Sequence, residues 1–580
     1  MELQVAYLDQ ILIFAIFALS LNLLMGYTGQ VSVAHAAFGA VGGYVLASLI
    51  VYAHAPILGA LLASGLVAAA AGVFVGVPAL RLTTEWLILL TLATQTIIIA
   101  LVTTAAFLGG THGMQGITGM QIFGHDLLRP SDLLPLFAVC AILAYVVCWR
   151  LGESPFGRVL RGIREDERAC RSLGKNVFAY KLTVFGVACG MAGIAGALLV
   201  INTSIASPAL FGFDQSTTIV AMVVLGGMGN LVGSMLGAAA LVLLAPLFEN
   251  VLKFSEGTAF LWRLVAYGVV LIVIVMVRPQ GLVPEGFSFV RSLRARLRPD
   301  RQAPAKTAFQ ILPNARAPQS ESPAHSGSDI VVSVERLCKS FGGIVAAQDF
   351  DMELRRGKVT ALVGPNGAGK TTVFNLLTGA IAPDAGRILL RGEDVTSMRP
   401  DAVAQRGMVR SFQDVRVFSR MTALENVMLG IQHQPGEHAL PLFLQISRAQ
   451  AAERHVRERA HEWLRFVGMD GYAGLPAGAL AFGQQKLVAL ARVLATDAEV
   501  LLLDEPSSGV DHQWVDAILG LVERVRDQGR TVCIVEHNVH VVERLADHTY
   551  FMELGRVTAQ GSFKELTAVP RLAEAYFGTA

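Results

Sequence analysis

The chain has 580 residues, of which 53% are hydrophobic, and its formal net charge is +2 at pH 7. That length exceeds one ordinary domain, and a mean hydropathy of +0.52 excludes an ordinary soluble protein. The near-neutral charge, with no basic stripe on the less apolar half, argues against nucleic acid as a partner. The 6 cysteines have no paired spacing, so we expect free thiols and no cysteine metal site.

The first half contains apolar runs close to the roughly 20 residues that a helix needs to cross a bilayer. There are nine of them, at 8–24, 33–53, 56–80, 86–108, 133–149, 180–201, 216–225, 231–248 and 259–277. The glycine-rich stretch 224–234, at the end of the short seventh run, predicts a tight or re-entrant turn. Small residues crowd 39–44, 66–76 and 189–197, which favours close helix packing in lipid. We predict an N-terminal all-α polytopic membrane domain with about 8–10 spans.

The segment GRVLRGIREDERACRSLGKN, residues 157–176, interrupts this apolar half with nine charged residues. Basic residues concentrate there and again in 278–301, and such loops stay on the cytoplasmic side of a membrane. Counting crossings from these two loops puts the N-terminus outside and the C-terminal half inside. Membrane lipid is therefore a partner of the first half. The runs carry no carboxylate relay, which disfavours a proton-driven carrier.

The stretch 287–329 is basic at first and then rich in proline and serine. This composition predicts a flexible cytoplasmic linker between a membrane domain at 1–286 and a soluble domain at 330–580.

The soluble domain contains GPNGAGKT between the apolar strand VTALV and a helix, which is the setting of a phosphate-binding loop. Backbone N–H groups and Lys370 are expected to hold the phosphates of ATP, and Thr371 to bind Mg²⁺. The predicted nucleotide-binding residues of this loop are Gly364, Pro365, Asn366, Gly367, Ala368, Gly369, Lys370, Thr371 and Thr372. A second strand, EVLLLDEP, ends in Asp504, a candidate Mg²⁺ ligand that also contributes to nucleotide binding, and Glu505, a candidate general base. The soluble half is therefore predicted to be an α/β P-loop ATPase.

Four further motifs resemble those of the ABC nucleotide-binding domain in order and spacing. SFQD resembles the Q-loop, which implies that Gln413 is a catalytic residue and Mg²⁺ ligand, and IVEHN resembles the switch strand, which implies a catalytic His537. Phe341 occupies the position where these ATPases stack an aromatic ring on adenine. LAFGQ resembles the signature and SSGVD the D-loop. The resemblance implies that the residues completing the ATP site of an opposing subunit are Leu480, Ala481, Phe482, Gly483, Gln484 and Asp511.

The signature departs from the usual LSGGQ at Ala481 and Phe482. The serine that is missing normally donates to the γ-phosphate held by the opposite subunit. We therefore expect this half-site to use backbone N–H groups and Gly483.

A closer resemblance is to the high-affinity importers of branched-chain amino acids. KSFGGIVA, VRSFQDVRVF and LAFGQQ resemble their ATPase, while LSLNLLMGYTGQVSVAHAAFGAVGGY, VVLGGMGN and RPQGLVP resemble one of their permeases. The resemblance implies a natural fusion of permease and ATPase, acting as an ATP-driven importer in the bacterial inner membrane with its ATPase domain in the cytoplasm. It also implies three partners: a second permease subunit, a second ABC ATPase subunit and a periplasmic substrate-binding protein.

Importer permeases place a short cytoplasmic helix in a groove of the ATPase near the Q-loop, and IREDERACRSLG resembles that coupling helix. We expect Ile163, Arg164, Arg168 and Cys170 to belong to it, with the apolar members near one helical face. The alternative is that these arginines only set the membrane topology.

Importers of urea and short-chain amides have similar permeases, and the sequence does not separate them from amino acid importers. A membrane-anchored ATPase without transport would not need nine spans, and exporters carry longer cytoplasmic helix extensions than these loops provide.

Overall fold

The structure is a computed structural model of the 580-residue chain. It describes residues 2–82, 84–117, 121–122, 125–126, 129–246, 262, 265, 268–269, 272–273, 276–285, 318 and 329–569. The ninth apolar run and the linker lie largely outside these residues.

The chain forms two compact units. The first comprises Met1–Arg164 and Phe178–Asp300, and the second comprises Glu165–Val177 and Arg301–Ala580. The charged segment 157–176 is therefore divided: its residues up to Arg164 belong to the first unit, and the rest group with the second. The predicted domain limits at 286 and 330 stay predictions.

The first unit is helical. Its helices, with the two short ones of the charged segment, are α1 Glu2–Thr28, α2 His35–Ala53, α3 Ile57–Ala79, α4 Thr84–Thr104, α5 Pro130–Gly152, α6 Pro155–Glu165, α7 Glu167–Ser172, α8 Val177–Thr203, α9 Phe213–Gly226 and α10 Leu231–Pro246. Within the described residues, seven helical stretches are long and apolar enough to cross a membrane, and Leu231–Leu244 is a shorter apolar helix. The short seventh run gains length from a preceding 3₁₀ turn, so that the stretch Pro208–Gly226 has 19 residues. A two-residue hairpin, β1 Gln121–Ile122 and β2 His125–Asp126, precedes α5.

Small residues bring these helices into backbone contact, as the sequence predicts. A Cβ placed on Gly42 of α2 would lie 2.1 Å from the carbonyl oxygen of Gly193 in α8. A Cβ on Gly196 would lie 2.0 Å from the carbonyl oxygen of Gly39. Neither position has room for a side chain, so glycine sets the distance between α2 and α8.

The helix ends of the first unit meet in two groups. Asn22, near the end of α1, accepts a hydrogen bond from Gly229 N–H at 2.8 Å, in the tight turn between α9 and α10. At the other ends of the helices, Met114 and Ala206 exchange backbone hydrogen bonds of 2.9 and 3.0 Å. This grouping agrees with the alternating order of crossings that the sequence predicts, and it shows that the 224–234 stretch does form a tight turn.

The second unit is an α/β domain with two sheets. Its strands are β3 Ile330–Phe341, β4 Ile344–Arg355, β5 Val359–Val363, β6 Ala385–Leu390, β7 Glu393–Asp394, β8 Met408–Arg410, β9 Val500–Asp504, β10 Thr531–Val535, β11 His548–Glu553 and β12 Arg556–Gly561. The six-stranded sheet has the order β12-β11-β5-β10-β9-β8 and is parallel except for the β11–β12 pair, while the order β4-β3-β6-β7 forms an antiparallel sheet. Its helices are α11 Lys370–Leu377, α12 Pro400–Gln405, α13 Ala423–Gly430, α14 Ala439–Leu444, α15 Ile446–Phe466, α16 Phe482–Leu494, α17 His512–Asp527, α18 Val539–Leu545 and α19 Phe563–Thr567.

Every residue of β5, β9 and β10 is buried, because helices cover one face of this sheet and the antiparallel sheet packs with α11 against the other. These three strands are neighbours and run the same way. Their carboxyl ends therefore meet at one edge, where the phosphate-binding loop and the acidic pair follow β5 and β9.

Candidate functional site

The phosphate-binding loop connects β5 to α11, and its geometry requires glycine. Gly364 has a φ of +150° and Gly369 a φ of +106°. A Cβ on Gly364 would lie 2.0 Å from the carbonyl oxygen of Met552, and one on Gly369 would lie 2.1 Å from that of Ala346. With side chains excluded, the backbone N–H groups at the N-terminus of α11 form an anion-binding concavity.

Lys370, the first residue of α11, folds back over this loop. Its Nζ donates to the carbonyl oxygens of Gly364 at 2.7 Å and Pro365 at 2.9 Å. Burial lowers the pKa of Lys370, and the nearby carboxylates of Glu505 and Asp504 oppose that shift. The ammonium is thus held beside the loop, where it can meet the phosphates.

Asp504 ends β9 with a carboxylate that is 1% exposed. Its Oδ2 accepts a hydrogen bond of 2.5 Å from Arg410, and its Oδ1 has no hydrogen-bond partner in the part of the chain that the structure describes. Burial raises the pKa of this carboxyl group, and the Arg410 guanidinium opposes the shift. A buried, unpartnered carboxylate oxygen suits a metal ligand.

The three predicted Mg²⁺ ligands, Thr371, Gln413 and Asp504, line one cavity of about 470 Å³. A hydroxyl, an amide oxygen and a carboxylate are hard oxygen donors, which Mg²⁺ prefers. The residues present therefore fit this ion.

Arg410 is a site residue that the sequence reasoning missed. Besides Asp504, it donates to Asn375 Oδ1 of α11 at 2.5 Å, and its guanidinium lies 5.5 Å from the Phe374 ring and 5.6 Å from that of Phe412. A basic residue directly before SFQD, at the end of a short strand, was the available signal. Arg410 joins the helix of the phosphate-binding loop to the carboxylate at the end of β9.

Glu505 leaves the strand with a φ of +45°, a left-handed conformation that is strained for a residue with a side chain. The Gln413 amide donates to its Oε2 at 2.9 Å, and the His537 Nδ1 lies 3.8 Å from its Oε1. The three predicted catalytic residues therefore meet at one point.

Lys486 of α16 was also missed by the sequence reasoning. It stabilises the turn 505–508, which follows β9. Its Nζ donates to the carbonyl oxygens of Glu505 and Pro506, both at 3.3 Å, and of Ser508. Burial lowers its pKa. The ammonium therefore links α16, the helix that begins in the signature motif, to the turn that contains Glu505.

The signature and D-loop residues form a second group. A Cβ on Gly483 would lie 2.6 Å from the Trp514 ring, and a Cβ on Gly509 would lie 3.3 Å from the Phe482 ring. Ala481 precedes α16 without a capping hydroxyl, and the Gln484 side chain accepts its N–H at 3.0 Å. Leu480 is buried, while Phe482 and Asp511 are exposed.

Phe341, the predicted adenine contact, is 44% exposed at the end of β3. The Lys339 ammonium lies 5.4 Å from its ring. An exposed aromatic face of this kind can stack on a base.

The predicted coupling residues fall into two sets. Arg164 donates to both carboxylate oxygens of Glu285, at 2.7 and 2.9 Å, and to the carbonyl oxygen of Gly26, all within the first unit. Ile163 is buried in α6. Arg168 and Cys170 belong to α7 in the second unit, where Arg168 lines the cavity that contains Asp504 and Cys170 is fully buried.

The segment 165–177 makes polar contacts on both sides of α7 within the second unit. Asp166 pairs with Arg416 at 2.7 Å, three residues after Gln413 of the Q-loop, near which the sequence resemblance places the coupling helix. Lys175 pairs with Glu437 at 2.5 Å, which the sequence did not indicate. The Gln405 amide donates to the carbonyl oxygen of Gly174 at 2.7 Å.

Comparison with known protein families gives one match in each half of the chain. Residues 4–277 match a family described as "Branched-chain amino acid transport system / permease component". Residues 347–508 match the family described as "ABC transporter".

Individual relatives match the soluble half over almost their full length. The high-affinity branched-chain amino acid transport ATP-binding protein BraF of Pseudomonas aeruginosa is 34% identical over 251 residues, which cover 43% of this chain and 98% of the relative. LivG of Escherichia coli, of the same description, is 34% identical over 254 residues, or 44% of this chain and 100% of the relative. Among solved structures, a nucleotide-free ATP-binding cassette from an ABC transporter is 31% identical with a TM-score of 0.38, covering 43% of this chain and 100% of its own.

Proposed function

The chain belongs to the branched-chain amino acid ABC transporter family, as a fusion of permease and ATPase in which ATP hydrolysis is coupled to transport, and we propose that it imports branched-chain amino acids. The observation that carries the proposal is the 34% identity over 98% of BraF, in a chain whose first half matches the permease family of the same systems. Three partners would complete the machine: a second permease subunit, a second ABC ATPase subunit and a periplasmic binding protein that selects the substrate. The location that fits these partners is the bacterial inner membrane, with the ATPase domain in the cytoplasm.

The ATP site supports hydrolysis by named residues. The N–H groups of the phosphate-binding loop and Lys370 would hold the phosphates, and Phe341 would stack on adenine. Thr371, Gln413 and Asp504 would hold Mg²⁺, which when bound neutralises charge on the β- and γ-phosphates. Glu505 would accept the proton of the attacking water, while Gln413 and His537 keep its carboxylate in place.

This chain supplies one half of each composite ATP site. Leu480, Ala481, Phe482, Gly483, Gln484 and Asp511 would face the nucleotide of the partner ATPase. Since Ala481 has no hydroxyl, that half-site would use backbone N–H groups at the start of α16, where the helix dipole favours phosphate.

The segment 165–177 would couple hydrolysis to transport. It lies against the same cavity as Asp504, through Arg168, and its chain continues into the apolar helix α8. A change at the nucleotide would therefore reach the permease through a short connection.

The test is uptake by source cells that lack this chain, complemented with the wild-type gene or with the Lys370→Ala variant. We expect ATP-dependent uptake of radiolabelled leucine, isoleucine and valine only with the wild type. The ligand retained by the co-purified binding protein identifies the substrate independently. Uptake of urea or acetamide in place of leucine would overturn the proposed substrate.

A further inference from the structure

The link between α1 and α2 turns back into the membrane-spanning bundle. Residues 29–34 are not helical, and His35, the first residue of α2, places its Nε2 2.7 Å from Ser20 Oγ inside α1. Ser20 lies eight residues before Thr28, the end of α1, or about 12 Å along the helix axis at 1.5 Å per residue. Helix α2 therefore begins near the middle of an apolar layer that is roughly 30 Å thick.

Polar side chains from α4 and α9 surround this helix start. The N–H of Ala37 donates to Gln95 Oε1 at 3.0 Å, and the N–H of Ala36 donates to Ser216 Oγ at 3.0 Å. The Ser216 hydroxyl in turn donates to Gln95 Oε1 at 3.1 Å. Gln95 is eleven residues into α4, about 16 Å from its first residue, which again places the group at mid-membrane depth.

Three side chains at this start carry polar atoms without partners. Among the described residues, both amide atoms of Gln30, the hydroxyl of Ser32 and Nδ1 of His35 have no hydrogen-bond partner, and these three residues are at most 3% exposed. The Ser20 hydroxyl donates to the carbonyl oxygen of Phe17 at 2.8 Å, and with its one proton placed there Nε2 of His35 donates to Ser20. Nδ1 is then a bare acceptor. Unpaired polar atoms at this depth are costly, and irregular backbone is tolerated there only where it is buried in protein or lines a water-filled cavity.

We propose that residues 30–35 bind the zwitterionic head group of an apolar α-amino acid on its way through the permease domain. The inference rests on the proposed function and names the residues that would recognise its substrate. The Ser32 hydroxyl and the Gln30 amide N–H groups are donors beside a helix N-terminus, where a carboxylate is favoured. Nδ1 of His35 and Oε1 of Gln30 are acceptors for an ammonium group.

The surroundings fit such a ligand. No residue of the 30–35 stretch carries a formal charge when His35 is neutral, which suits a molecule whose net charge is zero. The buried Phe17 ring lies 6.5 Å from the His35 ring, and Phe38 is buried one turn into α2. The Phe17 ring offers an apolar surface beside His35.

The test uses Gln30→Met and Ser32→Ala in the full chain, expressed with its partner subunits. Each change removes unpartnered polar atoms with little change in volume. Because these atoms make no hydrogen bond within the described chain, their removal should leave the complex as stable as before or more stable. We expect an unchanged or higher thermal midpoint of the purified complex together with a loss of leucine uptake of about tenfold or more, the effect of about 1.4 kcal/mol.

The matched control is Ser64→Ala. Ser64 is also buried in the first unit, but its hydroxyl already donates to the carbonyl oxygen of Ala60 at 2.8 Å. This variant should keep leucine uptake within about twofold of the wild type, because removing a bond within one helix changes little.

The outcomes separate this inference from the proposed function. Leucine uptake that stays near the wild-type rate in both variants overturns the site and leaves the proposed function standing. A wild-type complex that takes up none of leucine, isoleucine and valine overturns the proposed function itself. If Gln30→Met does not accumulate in the membrane, Ser32→Ala decides alone. Should the variants lose uptake of urea or acetamide instead, the zwitterion is the wrong ligand class.

Discussion

Lys175 and Glu437 form a buried ion pair that holds the segment 165–177 within the second unit. Their Nζ and Oε1 atoms are 2.5 Å apart, and the side chains are 4% and 9% exposed. Lys175 Nζ also donates to the carbonyl oxygen of Ile431 at 3.1 Å. The variant Lys175→Met keeps the apolar stem and leaves the Glu437 carboxylate buried without its cation. Removing one partner of such a pair costs about 3–5 kcal/mol.

That cost predicts that the segment 165–177 detaches from the rest of the second unit much more often in the variant. At about 1.4 kcal/mol per factor of ten, the lower figure corresponds to about a 100-fold larger open population. We expect amide hydrogens of 165–177 to exchange faster by about that factor, measured by mass spectrometry on the complete complex. The double variant Lys175→Met with Glu437→Met buries no charge, so it should recover most of the protection.

The exposed pair Arg171–Glu167 is the matched control. Both of its residues lie in the same segment, 165–177. The guanidinium nitrogen and the carboxylate oxygen are 3.0 Å apart, but the side chains are 47% and 36% exposed. Such pairs contribute about 0.3–0.5 kcal/mol, so Arg171→Met should raise exchange by less than about threefold. Exchange in Lys175→Met that is no faster than in this control would refute the reasoning.

The remaining predictions concern catalysis, topology and the metal site. Glu505→Gln should retain ATP binding and lower turnover by about 10²–10⁴-fold, the usual size of a general-base contribution. Radiolabelled nucleotide occupancy at each site checks that assignment, and a near-normal rate at this site would contradict it. In intact cells and a cysteine-free background, an impermeant maleimide should label Glu2→Cys and spare Arg171→Cys, and labelling of the second would overturn the count of spans. Arg410→Met should weaken binding of Mn²⁺ with nucleotide, seen by electron paramagnetic resonance, while Arg410→Lys keeps part of it. Binding equal to the wild type in Arg410→Met would show that Arg410 does not orient Asp504.

The sequence by itself determined the class of the protein and predicted the residues of its ATP site. A helix that crosses a bilayer requires a run of about 20 apolar residues, and a phosphate-binding loop requires glycines at set spacing. Both can therefore be recognised from the order of residues alone. Gln413, Asp504, Glu505 and His537 could be predicted because each belongs to a known motif at the end of a short buried strand. The structure brings them together because neighbouring parallel strands end at the same edge of the sheet.

Only the tertiary structure decided which other residues support these. Arg410 and Asp504 are 94 positions apart, and Lys175 and Glu437 are 262 apart. The first contact depends on the order of the strands in the sheet, and the second on the packing of the segment 165–177 against the rest of the second unit. Neither can be predicted from a local sequence pattern. The unpartnered atoms around His35 are of the same kind. A buried histidine next to small residues is an ordinary core residue in sequence, and it becomes a candidate ligand only when the fold shows that Ser20 occupies one ring nitrogen and that nothing in the described chain occupies the other.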